Sequence, residues 1–210
     1  MSDLAVSQVC EPVSVELCPD SSKASAADLL NVLESCLHAR SSEWLFLREL
    51  KVGTGRRNGS IQRLDAFALN CLPHQAMKRV CYEVKTSRAD FLCELRHPLK
   101  RRIGMRYSNE FYFVTPGEML DPSEVPVDCG VIEAGYALPD RWLALQVRHS
   151  GYFNYDPATN AYCMVTVPAP WRDTPGPTWQ FAAAMLRNQQ RQMEEAKPKA
   201  RPEQQRLSFS

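Results

Sequence analysis

Residues 62–91 hold the feature that most constrains what this chain can fold into. Two strand-like segments, QRLDAFALN and RVCYEVKTS, lie close together, and each carries acid groups among apolar neighbours. Val, Phe, Tyr and Leu at this density suit a pleated surface packed on a core. Asp65 in the first segment, and Glu83 and Lys85 in the second, do not. Successive strand residues point to opposite faces, so Glu83 and Lys85 share a face while Val84 points away. If the two strands pair, Asp65 comes close to Glu83. Adjacent carboxylates repel, and burying them unpaired is expensive. Packing alone does not account for them.

The surrounding segments supply a body for this pair. AADLLNVLESCLHAR (26–40) spaces Leu29, Leu30, Leu33 and Leu37 as one helical stripe, with Ser25 as its N-cap. WLFLRELKV (Trp44–Val52) is a strand, followed by the Gly- and Arg-rich turn GTGRRNGS (53–60). After the second and third strands comes a helical crossover broken near Pro98. Further strands are expected at 110–116, 129–136 and 161–167, and RWLALQVRHS (141–150) fits strand or helix equally. PTWQFAAAMLRNQQRQMEEA (177–196) is a helix with Pro177 near its first turn. The pattern predicts an α/β fold: a mixed central sheet of about five strands flanked by helices. Residues 1–24 form a loose arm, 25–176 the α/β domain, 177–196 a C-terminal helix, and 197–210 a Pro/Lys/Gln tail too poor in apolar residues to fold alone.

Composition narrows the class. The chain has 210 residues, 44% of them hydrophobic and 23% charged, enough for one domain with a real core. Net charge is +1, so an argument for nucleic acid must come from local clusters. No apolar run approaches the roughly 18 residues of a membrane helix, and the acidic N-terminus lacks the pattern of a signal peptide. A cytoplasmic protein is expected. The eight cysteines show no C-x2-C or C-x4-C pair, so neither structural zinc nor disulfides are expected. The four histidines show no ligand spacing.

A divalent metal removes the penalty of neighbouring carboxylates. Hard oxygen ligands suit Mg²⁺ or Mn²⁺, and the carbonyl of Val84 offers a third oxygen beside Asp65 and Glu83. Lys85 next to such a site would orient an attacking water and stabilise the charge developing on phosphorus. That is the logic of metal-assisted phosphodiester hydrolysis.

The spacing D-(x17)-E-x-K, from Asp65 to Lys85, resembles the PD-(D/E)xK nuclease superfamily. RLDAFAL, CYEVKTSRADF, NEFYFVTP and VDCGVIEA follow in the order found in its MmcB-like DNA repair family, and the likeness covers residues 44–136. E-x-K alone is a weak signal; EVKTSRADF after a strand and before a helix is far more specific. The resemblance implies a restriction-endonuclease-like core and a catalytic set of Asp65, Glu83 and Lys85. Such proteins often carry a further acid on the first helix, which Glu34 fits; Glu49, late on the first strand, is the rival. The turn after the first strand is longer than the family's, and the loop at 73–78 is this chain's own.

Asp90 opens the helix after the third strand, where it suits the dipole or a cap. Thr86 and Ser87 are suited to phosphate contact or to capping that helix. RHPLKRRIGMR gathers Lys100, Arg101, Arg102 and Arg106 beside the expected metal site, and Arg56 and Arg57 lie in the Gly-rich turn. These are candidate contacts to a DNA backbone, which position without reading sequence. Tyr107, Phe111 and Phe113 are expected in the core rather than stacked on bases. In the tail, Gln204, Leu207 and Phe209 form Q-x-x-L-x-F, which looks like the bacterial sliding-clamp binding motif. The expected function is a Mg²⁺- or Mn²⁺-dependent DNA endonuclease of repair or recombination, selective for DNA structure. Two alternatives are a catalytically inert DNA-binding or clamp-tethered adaptor and a defence-type nuclease, for whose recognition domain the chain has little room.

Overall fold

A computed structural model describes residues 24–53, 62–138 and 153–197. The expected N-terminal arm, RWLALQVRHS, Arg56, Arg57 and the tail residues Gln204, Leu207 and Phe209 lie outside the described residues. Among those described, seven strands form one mixed sheet with four α-helices. The strands are β1 (Trp44–Val52), β2 (Gln62–Asn70), β3 (Arg79–Val84), β4 (Glu110–Thr115), β5 (Gly130–Tyr136), β6 (Phe153–Asp156) and β7 (Ala161–Val167). The helices are α1 (Ala26–Leu37), α2 (Arg88–Leu95), α3 (Arg102–Tyr107) and α4 (Trp179–Ala196).

The strand order is β1-β2-β3-β4-β5-β7-β6. β1, β2 and β3 are antiparallel, β3, β4 and β5 parallel, and β7 and β6 return antiparallel. The count corrects the expectation of about five. β7 was legible as a strand, but β6 is a four-residue polar segment, FNYD, that exists by pairing along β7.

Two apolar layers sandwich the sheet. Leu29, Leu30, Val32 and Leu33 of α1 pack on Phe46, Ala66, Tyr82, Tyr112 and Val114. On the other face Phe91, Tyr107 and Phe181 of α2, α3 and α4 pack on Leu47, Phe67, Phe111 and Phe113. Tyr107, Phe111 and Phe113 are thus core residues, and Tyr107 stacks on Phe181 with ring centroids 4.1 Å apart. α1 starts as its sequence demands. Ser25 Oγ accepts from the Asp28 N–H at 3.2 Å, and the Ser25 N–H donates to the Asp28 carboxylate at 2.9 Å, closing a capping box. The crossover breaks at Pro98, which opens a 3₁₀ turn (Pro98–Arg101) before α3. No helix of the described residues is long and apolar enough to cross a membrane.

Candidate active site

The site forms where the sheet passes from antiparallel to parallel, at the C-terminal end of β3. Asp65 Oδ2 accepts a hydrogen bond from the Val84 N–H at 2.9 Å. Lys85 leaves the strand held by its own N–H, which donates to the Val114 carbonyl at 2.9 Å. Its ammonium lies 2.8 Å from Glu83 Oε1 and 3.6 Å from Glu94 Oε2. Asp65, Glu83 and Lys85 line one polar cavity of about 360 Å³, together with Glu49, Thr86, Asp90, Glu94 and Lys100.

The route by which β1 and β2 deliver their acids is irregular. Leu45, Leu47, Leu50 and Val52 of β1 all pack in the layer under α2, α3 and α4. The gap from Leu47 to Leu50 is three residues, so strict alternation breaks between them. In β2 the same layer takes Leu64, Phe67 and Leu69, again with a three-residue gap, while Ala66 and Ala68 face α1. The register does not slip: Arg48 stands opposite Ala66 and Leu50 opposite Leu64. Both strands therefore turn over at the one rung between those pairs, which is Glu49 and Asp65. Glu49 makes the turn in left-handed backbone, φ 54°, a conformation that costs a non-glycine residue about 1–3 kcal/mol.

α4 offsets that strain. The buried Asn188 side chain donates to the carbonyls of Arg48 and Glu49 at 3.0 and 3.2 Å. Gln192 donates to the Arg48 carbonyl at 3.1 Å and to Asn188 Oδ1 at 2.9 Å, which fixes the Asn188 amide in its donating orientation.

Electrostatics follow from this crowding. Burial pushes the Asp65 carboxyl up and Glu49 adds to the rise, while the Val84 N–H and Lys85 oppose it. Glu83 is pushed up to about 7 by burial and then by Asp65, against the pull of Lys85. Burial would lower Lys85, but Glu83, Glu94 and Asp65 outweigh it and its ammonium is held above its ordinary value. The cavity thus carries an excess of carboxylate over cation, all of it oxygen. That donor set suits a hard divalent ion. Asp65, Glu83 and the Val84 carbonyl are the groups to hold one, with Glu49, now 2.9 Å from Arg63, as a further carboxylate. Among the described residues no group of three or more His, Cys, Asp or Glu side chains is drawn together as a ready metal cluster.

Glu34 is not part of this cavity. It pairs with Arg48 and lines a separate hollow with His38 and Trp44. Leu30 reaches the acidic cavity, and Glu34 lies one helical turn beyond it, about 6 Å along the axis. Its rival Glu49 lines the site. Arg101 departs from its expected role as a DNA contact. The 3₁₀ turn after Pro98 directs it inward, where it is 7% exposed with its guanidinium 5.8 Å from the Phe113 ring centroid. Lys100 stays exposed at the cavity, 3.7 Å from Glu94. Arg102 and Arg106 are exposed and line a neighbouring hollow with Gln62 and Thr178. Ser87 caps α2, accepting from the Asp90 N–H at 3.2 Å, whereas Thr86 faces the cavity. Glu94 has no counterpart among the expected residues. Its signal was an acid three residues after Phe91 on the buried side of α2, where it is 4% exposed.

No family model and no curated protein matches the chain. Among solved structures it is similar to the SPO1766 protein of unknown function from Silicibacter pomeroyi. The likeness covers 81% of this chain and 87% of that one, at 14% identity and a TM-score of 0.49.

Proposed function

We propose that this chain is a Mg²⁺- or Mn²⁺-dependent DNA endonuclease of the PD-(D/E)xK kind, selective for DNA structure rather than sequence. The observation that carries the reading is the convergence of Asp65, Glu83 and Lys85 in one polar cavity at the end of β3. Asp65 and Glu83, with the Val84 carbonyl, would hold the ion, and Glu49 is the further acid in place of Glu34. The ion, when bound, supplies Lewis-acid polarisation of the phosphodiester. Lys85 would hold the attacking water by one of its three donors and set positive charge against the developing phosphorane. Glu94 holds Lys85 from the helix side, so that the ammonium is aimed from two directions. Lys100, Arg102 and Arg106, all exposed, would grip the DNA backbone beside the cavity. A place in DNA repair and a tether to the bacterial sliding clamp through Gln204, Leu207 and Phe209 belong to the same proposal. Undiminished clamp binding after Leu207→Ala with Phe209→Ala would remove the tether.

Purified protein with Mn²⁺ is expected to cut at least one of a panel of flapped, branched and single-stranded DNAs. Asp65→Ala and Lys85→Ala are expected to lower the rate by about 10²–10³-fold or more. A panel left intact sinks the reading. The inert-adaptor reading has one observation in its favour: Lys85 is already engaged by Glu83 and Glu94. It predicts DNA binding that needs no metal and ignores Lys85→Ala.

A further inference from the structure

Besides the acidic cavity there is a second hollow, of about 340 Å³, lined by α3, the start of α4, the end of β1 and the start of β2. That volume is at the small end of those that hold a small molecule. Arg102 and Arg106 stand four residues apart on α3, so they share one face of it, and both line the hollow. Both are exposed, and among the described residues neither has a carboxylate partner. The Arg106 guanidinium lies 5.7 Å from the Tyr107 ring centroid. Two guanidiniums free of acids suit an anion with several oxygens, and a phosphate matches their fork of donors. α4 begins at the same place. Thr178 caps it: Oγ1 accepts from the Phe181 N–H at 3.3 Å and lies 3.3 Å from Tyr107 Oη. The positive end of this 18-residue helix adds to the attraction.

The rest of the lining is not that of a bare phosphate site. Val52, Ile103 and Phe181 make part of it apolar. Gln62 also lines it, and Gln62 Oε1 is buried with no hydrogen-bond partner. A buried acceptor left open costs free energy until a donor reaches it. Phosphate oxygens accept, so a phosphodiester alone leaves this demand unmet. A group that joins a phosphate to an apolar plane edged with N–H donors meets every demand at once, and a nucleotide is such a group. An amide offers a donor and an acceptor, and the pairing edge of every base carries both. Gln62 therefore favours no particular base, but that edge is free only when the base is unpaired.

We propose that this hollow takes one unpaired nucleotide, its phosphate on Arg102 and Arg106 and its base against the apolar lining and the Gln62 amide. The inference rests on the reading of the chain as a protein that acts on DNA, and it gives selectivity for DNA structure a physical source: a paired base cannot enter. Gln62 precedes Asp65 by three residues on β2, about 10 Å of extended chain. The nucleotide thus sits within a few positions of the bond to be cut.

The test is calorimetry on the full chain in EDTA, so that no cutting intervenes. The titrants are deoxyadenosine monophosphate, its baseless sugar phosphate and inorganic phosphate. The mononucleotide should bind about tenfold more tightly than the other two, or better. Arg102→Ala with Arg106→Ala should weaken its binding about tenfold or more at an unchanged urea midpoint. Gln62→Leu should weaken the mononucleotide about tenfold and leave the sugar phosphate as it was. Displacement of the mononucleotide by a single-stranded oligonucleotide, and not by its duplex, gives the hollow to a DNA strand. No displacement by either keeps the site with a free nucleotide as its ligand. Equal displacement by the duplex overturns the proposal. So do equal affinities for the three titrants, or a mononucleotide affinity unmoved in the arginine variant or in Gln62→Leu. Nucleotide binding here without any DNA cut in Mn²⁺ sinks the nuclease reading alone; cutting without nucleotide binding sinks this inference alone.

Discussion

His38 shows what burial does to a single side chain in this molecule. Its ring is 5% exposed, packed between Trp44 and Phe46 and hydrogen-bonded to Tyr82 Oη at 2.8 Å. Burial, and next the charge of Lys78, lower it from its ordinary value to about 3. Between that value and about 6.5 the unfolded chain binds a proton that the folded chain refuses, so stability falls as pH falls through this window. Urea unfolding at pH 7 and pH 4.5 should show the wild type losing about 2–3 kcal/mol more than His38→Gln. Equal losses would mean that His38 is protonated in the fold. At this scale the sequence was uneven. Glu83 and Lys85 were legible because a period of two puts them on one side, and Asp65, on the rung where β2 turns over, only because β2 was expected to pair with β3. Glu34 looked right because it sat on the expected helix, but its angular position and its pairing with Arg48 depend on the neighbouring strand. Arg101 was misplaced for a similar reason. A 3₁₀ turn rotates its residues differently from an α-helix, and Pro98 signalled the break without saying how the chain would resume.

The amides of Asn188 and Gln192 act on an element: they hold a kink in β1. Asn188→Ala takes the α4 donor from the Glu49 carbonyl and leaves the Arg48 carbonyl to Gln192 alone, and a stability loss of about 1–3 kcal/mol is expected by urea titration. If Glu49 also serves the ion, Mn²⁺ affinity measured by calorimetry should weaken about tenfold. Adding Asn188→Ala to Glu49→Gln should then weaken it no further. Additive losses in that double variant would separate the kink from the site. The kink was written in the sequence as the three-residue gap between Leu47 and Leu50, repeated from Leu64 to Phe67, although each segment alone passes for an ordinary strand. Its cause lies in α4, well over a hundred residues away, which no local pattern can supply. β5 carries another such dependence. A Cβ on Gly130 would meet the Tyr112 ring and stand 2.6 Å from the Ala169 backbone nitrogen. Because that nitrogen cannot move aside as a side chain can, Gly130→Ala is expected to cost about 3 kcal/mol in chemical denaturation.

For the whole molecule, a net charge of +1 hides an uneven distribution. Glu49, Asp65, Glu83, Asp90 and Glu94 gather in one cavity, while Arg102 and Arg106 line the hollow beside them. On the proposed function, DNA binding should weaken with salt, and Arg102→Ala with Arg106→Ala should reduce the slope of log affinity against log salt by about 2, whatever the DNA sequence. An unchanged slope would place the backbone contacts elsewhere. The order of the sheet could not be read along the chain. β7 joins β5 through partners distant in sequence, and β6 then adds to the outside of β7 as a local hairpin, so the last two strands stand in reverse of their chain order. β1, at the other end, is an outermost strand, and outermost strands invite further strands from other molecules. Here Glu49 breaks the run of extended backbone, and two α4 amides take up the carbonyls of Arg48 and Glu49. The kink that delivers an acid to the cavity thus also makes this edge a poor template for self-association. Loosening it by Asn188→Ala should appear, in a concentrated sample, as slow aggregation.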